Sequence, residues 1–262
     1  MAVLPALISL AGNIIDMISA DRVNLHMPVF QLTEKIVFPR PDLAEENGLL
    51  AIGGDLSPER LLVAYRSGIF PWYSRNDPIL WWSITPRLVL FPGEFRVSRR
   101  LLRDIKKPLY TITMDRAFEQ VITSCARVRT DKSEETWISK EMQDAYCTLH
   151  RLGYAHSVEC WHGKQLAGGL YGIALDRVFF GESMVTILKN GSKLALAALV
   201  VLLKKKNIQL IDCQMTTRHL LGFGAREISG QEFRNHLKSL IKTLSPDGAW
   251  HNDPTTGKQN LY

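Results

Sequence analysis

The distribution of proline constrains this chain more than any other feature. Nine of its twelve prolines fall between Pro28 and Pro108, and residues 109 to 240 contain none. Proline lacks a backbone N–H and fixes φ, so the first stretch is expected to be built from turns and short extended pieces, whereas the second is free to form long helices and ladders. Three of the six tryptophans share the proline-rich stretch. The shift in composition marks a boundary near residues 95 to 109. It divides the chain into a small Pro/Trp-rich N-terminal domain (27–97), a larger domain (98–243) and a tail (244–262). Residues 1–26 precede Met27 and read as an extension outside the core. They are apolar but lack a basic n-region and are interrupted by Asn13 and Asp16, so a targeting signal is not expected there.

Local signals place the elements. Ser57 as cap, Pro58 at the first helical position, apolar Leu61, Leu62, Ala64 and Tyr65, and Gly68 as stop define one helix. Phe70 to Tyr73 and Ile79 to Trp82 lie too close to prolines to read as central strands. Asp115 is positioned to cap a helix reaching Cys125, and Ser139 another that ends at Gly153. Three strands, Ala155–Trp161, Gln165–Ala174 and Arg177–Val185, are joined by short turns and form a meander. The helix 193–205 is apolar on nearly every side and should be interior, and a buried strand, 208–213, follows it. This pattern of helices and strands is an α+β, or mixed α/β, fold.

With 46% hydrophobic and 22% charged residues the chain has the composition of a folded globular protein. Its net charge of +6 is concentrated at Arg99, Arg100, Arg103, Lys106 and Lys107, a cluster suited to an anionic partner and equally compatible with a solvated helix face. Cys125, Cys147, Cys160 and Cys213 form no CxxC pair and no grouping with histidine, so neither a disulfide framework nor a metal site is expected. No phosphate loop or dinucleotide fingerprint is present, so no cofactor is expected.

Two carboxylates sit at the ends of apolar strands. Glu182 follows Val178, Phe179 and Phe180, and burial there requires either a structural partner or a ligand. Asp212 and Gln214 are two residues apart and share a face if the strand continues. That pairing suits acceptance of a proton from an amine, while the plainer reading is that Asp212 caps the following turn. Cys213 then points inward. Trp72, Tyr73, Trp81, Trp82 and Trp137 are candidates for an apolar pocket or for core.

Read together, several stretches resemble one family. They are ENGLLAIGGDLSPERLLVAYRSGIFPWYS (46–74), DPILWWS (77–83), TWIS (136–139), LGYAHSVE (152–159), GGLYG (168–172), FFGESM (179–184), SKLAL (192–196) and LIDCQ (210–214). In this order they resemble the bacterial leucyl/phenylalanyl-tRNA–protein transferases. The resemblance implies a GNAT-like acyltransferase C-terminal domain beside the small N-terminal one. It also implies transfer of Leu or Phe, and less favourably Met, from aminoacyl-tRNA to proteins beginning with Arg or Lys, marking them for N-end rule degradation. The expected setting is the cytoplasm, without a membrane, and the expected state a monomer. In that reading Asp212 and Gln214 are the catalytic pair; Trp72, Trp137, Glu182 and Met184 line the aminoacyl and adenosine pocket; and Arg99, Arg100, Arg103, Lys106 and Lys107 support the tRNA. An acyl-CoA or peptidoglycan-directed transferase and a non-catalytic tRNA-binding protein are the alternatives.

Two segments depart from the family's usual pattern. Val185 and Thr186 stand where the family usually has Phe-Ser, with Ile187 to Gly191 following, and Thr217, Leu221, Gly222 and Phe223 stand where other residues, including a serine, are usual. Both are expected beside the pocket, where they would bear on which amino acid is transferred.

Overall fold

A computed structural model describes residues 29–74, 76–105, 109–130, 137–248 and 250; the expected extension 1–26, Lys106, Lys107 and most of the tail lie outside them. The proline-rich stretch forms a four-stranded sheet from β1 (Phe30–Leu32), β2 (Leu49–Gly53), β3 (Phe70–Pro71) and β4 (Leu80–Trp82), in the order β1-β2-β4-β3. Here the sequence expectation needs correction, because β4 is an interior strand, paired antiparallel with both β2 and β3. Pro78 lies outside it and Pro71 sits on the edge strand β3, so no proline interrupts a ladder on both sides. Helix α1 (Pro58–Arg66) joins β2 to β3, with the Ser57 hydroxyl accepting from the Arg60 N–H as its sequence predicts.

A second sheet has seven strands in the order β11-β5-β10-β9-β8-β7-β6, where β5 is Arg87–Leu90, β6 Thr111–Met114, β7 Ala155–His162, β8 Gln165–Leu175, β9 Val178–Thr186, β10 Leu210–Asp212 and β11 Arg226–Ile228. The expected meander is β7-β8-β9. Strand β5 lies on the N-terminal side of the composition shift yet pairs with β10 and β11 in this sheet. Helices α2 (Arg99–Ile105), α3 (Phe118–Thr130), α4 (Lys140–Arg151), α5 (Gly191–Lys205), α6 (Arg218–Leu221) and α7 (Gly230–Leu240) complete the described chain.

Alternation along the strands separates two cores. Val178, Phe180 and Leu210 face one, shared with Phe118, Val121 and Ile122 of α3, Tyr146 of α4 and the small sheet. Phe179 and Ile211 face the other, filled by α5. Helix α5 buries residues around its whole circumference, as its composition requires. Two glycines allow it to sit so close to the sheet: a Cβ on Gly191 would lie 2.1 Å from the Ala167 carbonyl oxygen, and one on Gly168 would lie 2.6 Å from the Ser192 nitrogen. Because the first core runs without interruption through both sheets, the small sheet and the large one are packed as a single body.

Asp115 does not cap α3, contrary to the sequence expectation. With φ of 56° it turns its carboxylate to the Ser157 N–H (2.9 Å), the Trp250 N–H (2.7 Å) and His156 Nδ1 (2.8 Å). Burial alone would raise its pKa, but these partners, His156 foremost, hold it below the ordinary carboxylate value. No described helix is long and apolar enough to cross a membrane.

Candidate active site

Strands β9 and β10 run parallel through three paired positions, ending at Phe180 opposite Asp212, and then part. Glu182 and Gln214 meet there. In the antiparallel β8/β9 ladder the register moves between Tyr171–Ser183 and Gly172–Gly181, so Glu182 is an extra residue with no partner across the strand. A bulge of this kind re-aims one side chain. Gly172 makes room for it, since a Cβ there would lie 2.2 Å from the Phe180 carbonyl oxygen.

The re-aimed carboxylate of Glu182 meets two tyrosines from different helices. Tyr65 of α1 donates to Oε1 at 2.8 Å and Tyr146 of α4 donates to Oε2 at 2.9 Å, and the two hydroxyls also contact each other. Gln214 Nε2 donates to Oε1 at 3.2 Å. Burial pushes the Glu182 pKa up to about 7, with the negative charge of Asp212 adding to the rise; the hydrogen bonds from Tyr65, Tyr146 and Gln214 oppose it. Burial, reinforced by the Glu182 charge, drives both tyrosines well above their ordinary value, so they act as fixed donors.

Gln214 reaches Glu182 by a route that strand alternation does not supply. Strand β10 ends at Asp212, and Gln214 adopts a left-handed conformation with φ of 55°. That costs a side-chain-bearing residue roughly 1 kcal/mol or more and persists only where neighbours enforce it. They do so here: Gln214 N–H donates to Asp212 Oδ1 at 3.0 Å, and its carbonyl accepts from the Leu88 N–H at 3.1 Å.

Asp212 is fully buried and faces inward. Arg87 Nε and Nη2 donate to its two oxygens at 2.8 and 2.7 Å, a bidentate pair in which Arg87 is itself 1% exposed. The guanidinium lies between the rings of Phe70 (4.8 Å) and Phe233 (4.7 Å). Its ion pair therefore occupies both carboxylate oxygens, and Asp212 touches the opening only through Gln214. Cys213 packs toward the α5 core, where burial pushes its thiol far above the ordinary value.

The remaining expected residues are distributed around this centre. Trp72 packs on the first core beside Trp82, with ring centroids 5.5 Å apart. Trp137 packs on the same core. The segments that carry them adjoin, because Tyr73 donates to Glu141 in the first turn of α4 at 3.4 Å. Met184 is not brought to Glu182: the bulge reverses the alternation, and Met184 packs against the opposite core. Arg99, Arg100 and Arg103 are exposed on α2, which buried Leu101 anchors.

Sequence reasoning missed Arg87, Tyr65 and Tyr146. Both tyrosines sit at core spacing on amphipathic helices, and nothing local marks a hydroxyl that must find a partner. Arg87 offered one signal, a cation opening the apolar strand Arg87–Leu90.

Comparison with known proteins accounts for nearly the whole described chain. The family model described as leucyl/phenylalanyl-tRNA protein transferase matches residues 89–238, and that of the family's N-terminal domain matches residues 54–83. Proteins named leucyl/phenylalanyl-tRNA–protein transferase are 56% identical in Desulfotalea psychrophila, over 86% of this chain and 99% of that protein, and 55% identical in Syntrophobacter fumaroxidans, over 89% and 100%. One in Desulforapulum autotrophicum is 51% identical over 86% and 98%. Among solved structures, an aminoglycoside acetyltransferase from an uncultured soil metagenomic sample aligns at 11% identity and a TM-score of 0.32, over 55% of this chain and 93% of that one, too distant a likeness to carry an argument. With both family models matched in order and relatives aligned over almost their full length, the chain belongs to the leucyl/phenylalanyl-tRNA protein transferase family and is an aminoacyltransferase.

Proposed function

We propose that the protein transfers Leu or Phe, and less favourably Met, from aminoacyl-tRNA to the N-terminal Arg or Lys of an acceptor protein, marking it for N-end rule degradation. The observation that carries this reading is the cluster of Glu182, Tyr65, Tyr146 and Gln214 at the parting of β9 and β10, braced from behind by Arg87 and Asp212.

An aminoacyl ester is already activated, so the acceptor amine needs only to be held at the carbonyl and relieved of a proton. The new C–N bond forms as the ester C–O bond breaks, and the proton lost by the amine is taken up by the departing ribose oxygen. Gln214 spends its Nε2 on Glu182, which leaves its Oε1 to accept a hydrogen bond from the amine. Glu182 ionises near neutrality and suits transient storage of the proton. Asp212 acts as a positioning residue, fixing Gln214 in its left-handed turn. Tyr146 lies seven residues, or about 10 Å along the helix, from the N-cap Ser139, which Trp137 precedes by two positions. That spacing supports Trp72 and Trp137 as walls of the aminoacyl and adenosine pocket, with Met184 backing the strand.

The antiparallel meander β7-β8-β9, followed by a parallel β9/β10 pair that opens at the site, supports a GNAT-like acyltransferase fold for the larger unit. Charged tRNA as donor points to the cytoplasm, and the acting unit in this reading is a monomer. The test is transfer of labelled amino acid from separately charged leucyl-, phenylalanyl- and methionyl-tRNA to a peptide beginning with Arg, without ATP. Transfer by the wild type with most of the rate lost in Asp212→Ala is the expected result; no transfer by the wild type overturns the proposal.

A further inference from the structure

Residues on either side of the start of α5 and in and after α6, far apart in sequence, line one cavity of about 470 Å³. Lys189, Asn190 and Lys193 reach it from the start of α5, Arg218 and His219 from α6, and Arg100 from α2. Four of its lining residues are Lys or Arg and none is acidic. None of those four forms an ion pair among the described residues, whereas the Asn190 amide is already given to Asp104 at 2.9 Å. Nε2 of His219 is buried there without a hydrogen-bond partner. Burial, with the charge of Lys193 adding to it, holds this imidazole below its ordinary pKa. Asn190, with φ of 65°, places no side-chain cap on the first turn of α5, so the positive end of a 15-residue helix adds to the same field. Such an enclosure repels an ammonium and attracts an anion.

We propose that this cavity seats phosphodiester groups of the single-stranded 3′ end of the tRNA, gripped by Lys193 and Arg218 with Lys189 and Arg100 at the rim. The inference rests on the aminoacyl-tRNA reading and gives Lys189, Lys193 and Arg218 a role in holding the nucleic acid. Position supports it. Arg218 follows Gln214 by four residues, so their backbones are at most about 14 Å apart, within reach of the last few nucleotides of a strand whose ester lies at Gln214. Pyrophosphate of an acyl-CoA shares this chemistry. RNA is favoured because the cations do not stop at the cavity: Arg99 and Arg103 continue outward from Arg100 on the exposed side of α2, as a long polyanion requires.

The test compares the full-length wild type with Lys193→Gln/Arg218→Gln and with the milder Arg100→Gln, each checked for an unchanged unfolding midpoint. The probes are a short labelled RNA copying the tRNA 3′ end, titrated at several salt concentrations, and coenzyme A. The double variant should bind the RNA at least tenfold more weakly, with a log K against log salt slope shallower by about 1.4 for two lost contacts. It should also raise KM for charged tRNA more than it lowers kcat, and Arg100→Gln should show a smaller loss in the same direction. RNA binding should raise the His219 pKa, read by NMR of the ring. Unchanged RNA affinity and slope overturn the assignment, as does a loss confined to coenzyme A. A wild type that binds this RNA through Lys193 and Arg218 but transfers nothing leaves the cavity assignment standing and removes the transferase reading.

Discussion

Glu182 is held where two demands conflict, because burial favours its neutral form while three donors favour its charged one. Burial prevails, moving the pKa from 4.5 to about 7. Since the folded value lies above the unfolded one, the folded state keeps a proton that the unfolded state has released between about pH 4.5 and 7, and stability contributed by this group falls as pH rises through that window. Glu182→Gln should remove the dependence, worth up to about 1.4 kcal/mol per pH unit; denaturant unfolding of both proteins from pH 5 to 8 measures it, and parallel curves would refute it. The Arg87–Asp212 pair makes a second residue-scale prediction. Arg87→Met strands a buried carboxylate and should cost about 3–5 kcal/mol of unfolding free energy, while Arg87→Met/Asp212→Leu, which removes both charges, should recover a large part of it. A double variant no more stable than the single one would show that the pair contributes more than mutual compensation.

At the scale of elements, what was legible in the sequence was whatever is decided locally. The caps at Ser57 and Ser139, the glycine stops, the meander and the buried circumference of α5 all follow from short-range chemistry, and each formed close to its expected bounds. What depends on distant partners was not legible. Asp115 looks like a cap until His156 and Trp250 claim it, β4 looks like loop until β2 and β3 pair with it, and Asp212 with Gln214 looks like simple alternation until the strand ends between them. Glu182 was legible only as a buried acid, because the bulge that aims it depends on the register with β8. Gly172 is the observation that ties this bulge to sequence. Gly172→Ala forces a methyl into the Phe180 carbonyl and should cost at least about 1–3 kcal/mol together with most of the transfer rate. Gly93→Ala meets nothing within 4 Å and should stay within about 0.5 kcal/mol of wild type. Equal effects at the two glycines would remove the steric argument for the bulge.

Over the whole molecule, the chain closes on itself at its C-terminal end. Beyond α7 the Leu244 carbonyl accepts from the Tyr154 hydroxyl at 2.8 Å, and Trp250, 1% exposed, stacks on His156 with ring centroids 3.9 Å apart. Its backbone N–H serves Asp115 and its indole N–H serves Asp247 at 2.7 Å, while Lys206 pairs with Asp247 at 3.0 Å. A segment read from composition as a tail thus carries a large ring that completes the α5 core and supplies a donor to a buried carboxylate. Trp250→Ala should cost about 3–5 kcal/mol of unfolding free energy, and a chain ending at residue 243 at least as much, because Asp115 then loses the Trp250 N–H while remaining buried beside His156. The groups at Glu182 and Gln214 come from other elements, so at a temperature where the variant is still folded its KM for charged tRNA should stay near that of the wild type. Equilibrium unfolding of both forms, read beside transfer kinetics, decides the matter: a truncated chain that unfolds at the wild-type denaturant concentration would show that the segment is not part of the folded unit.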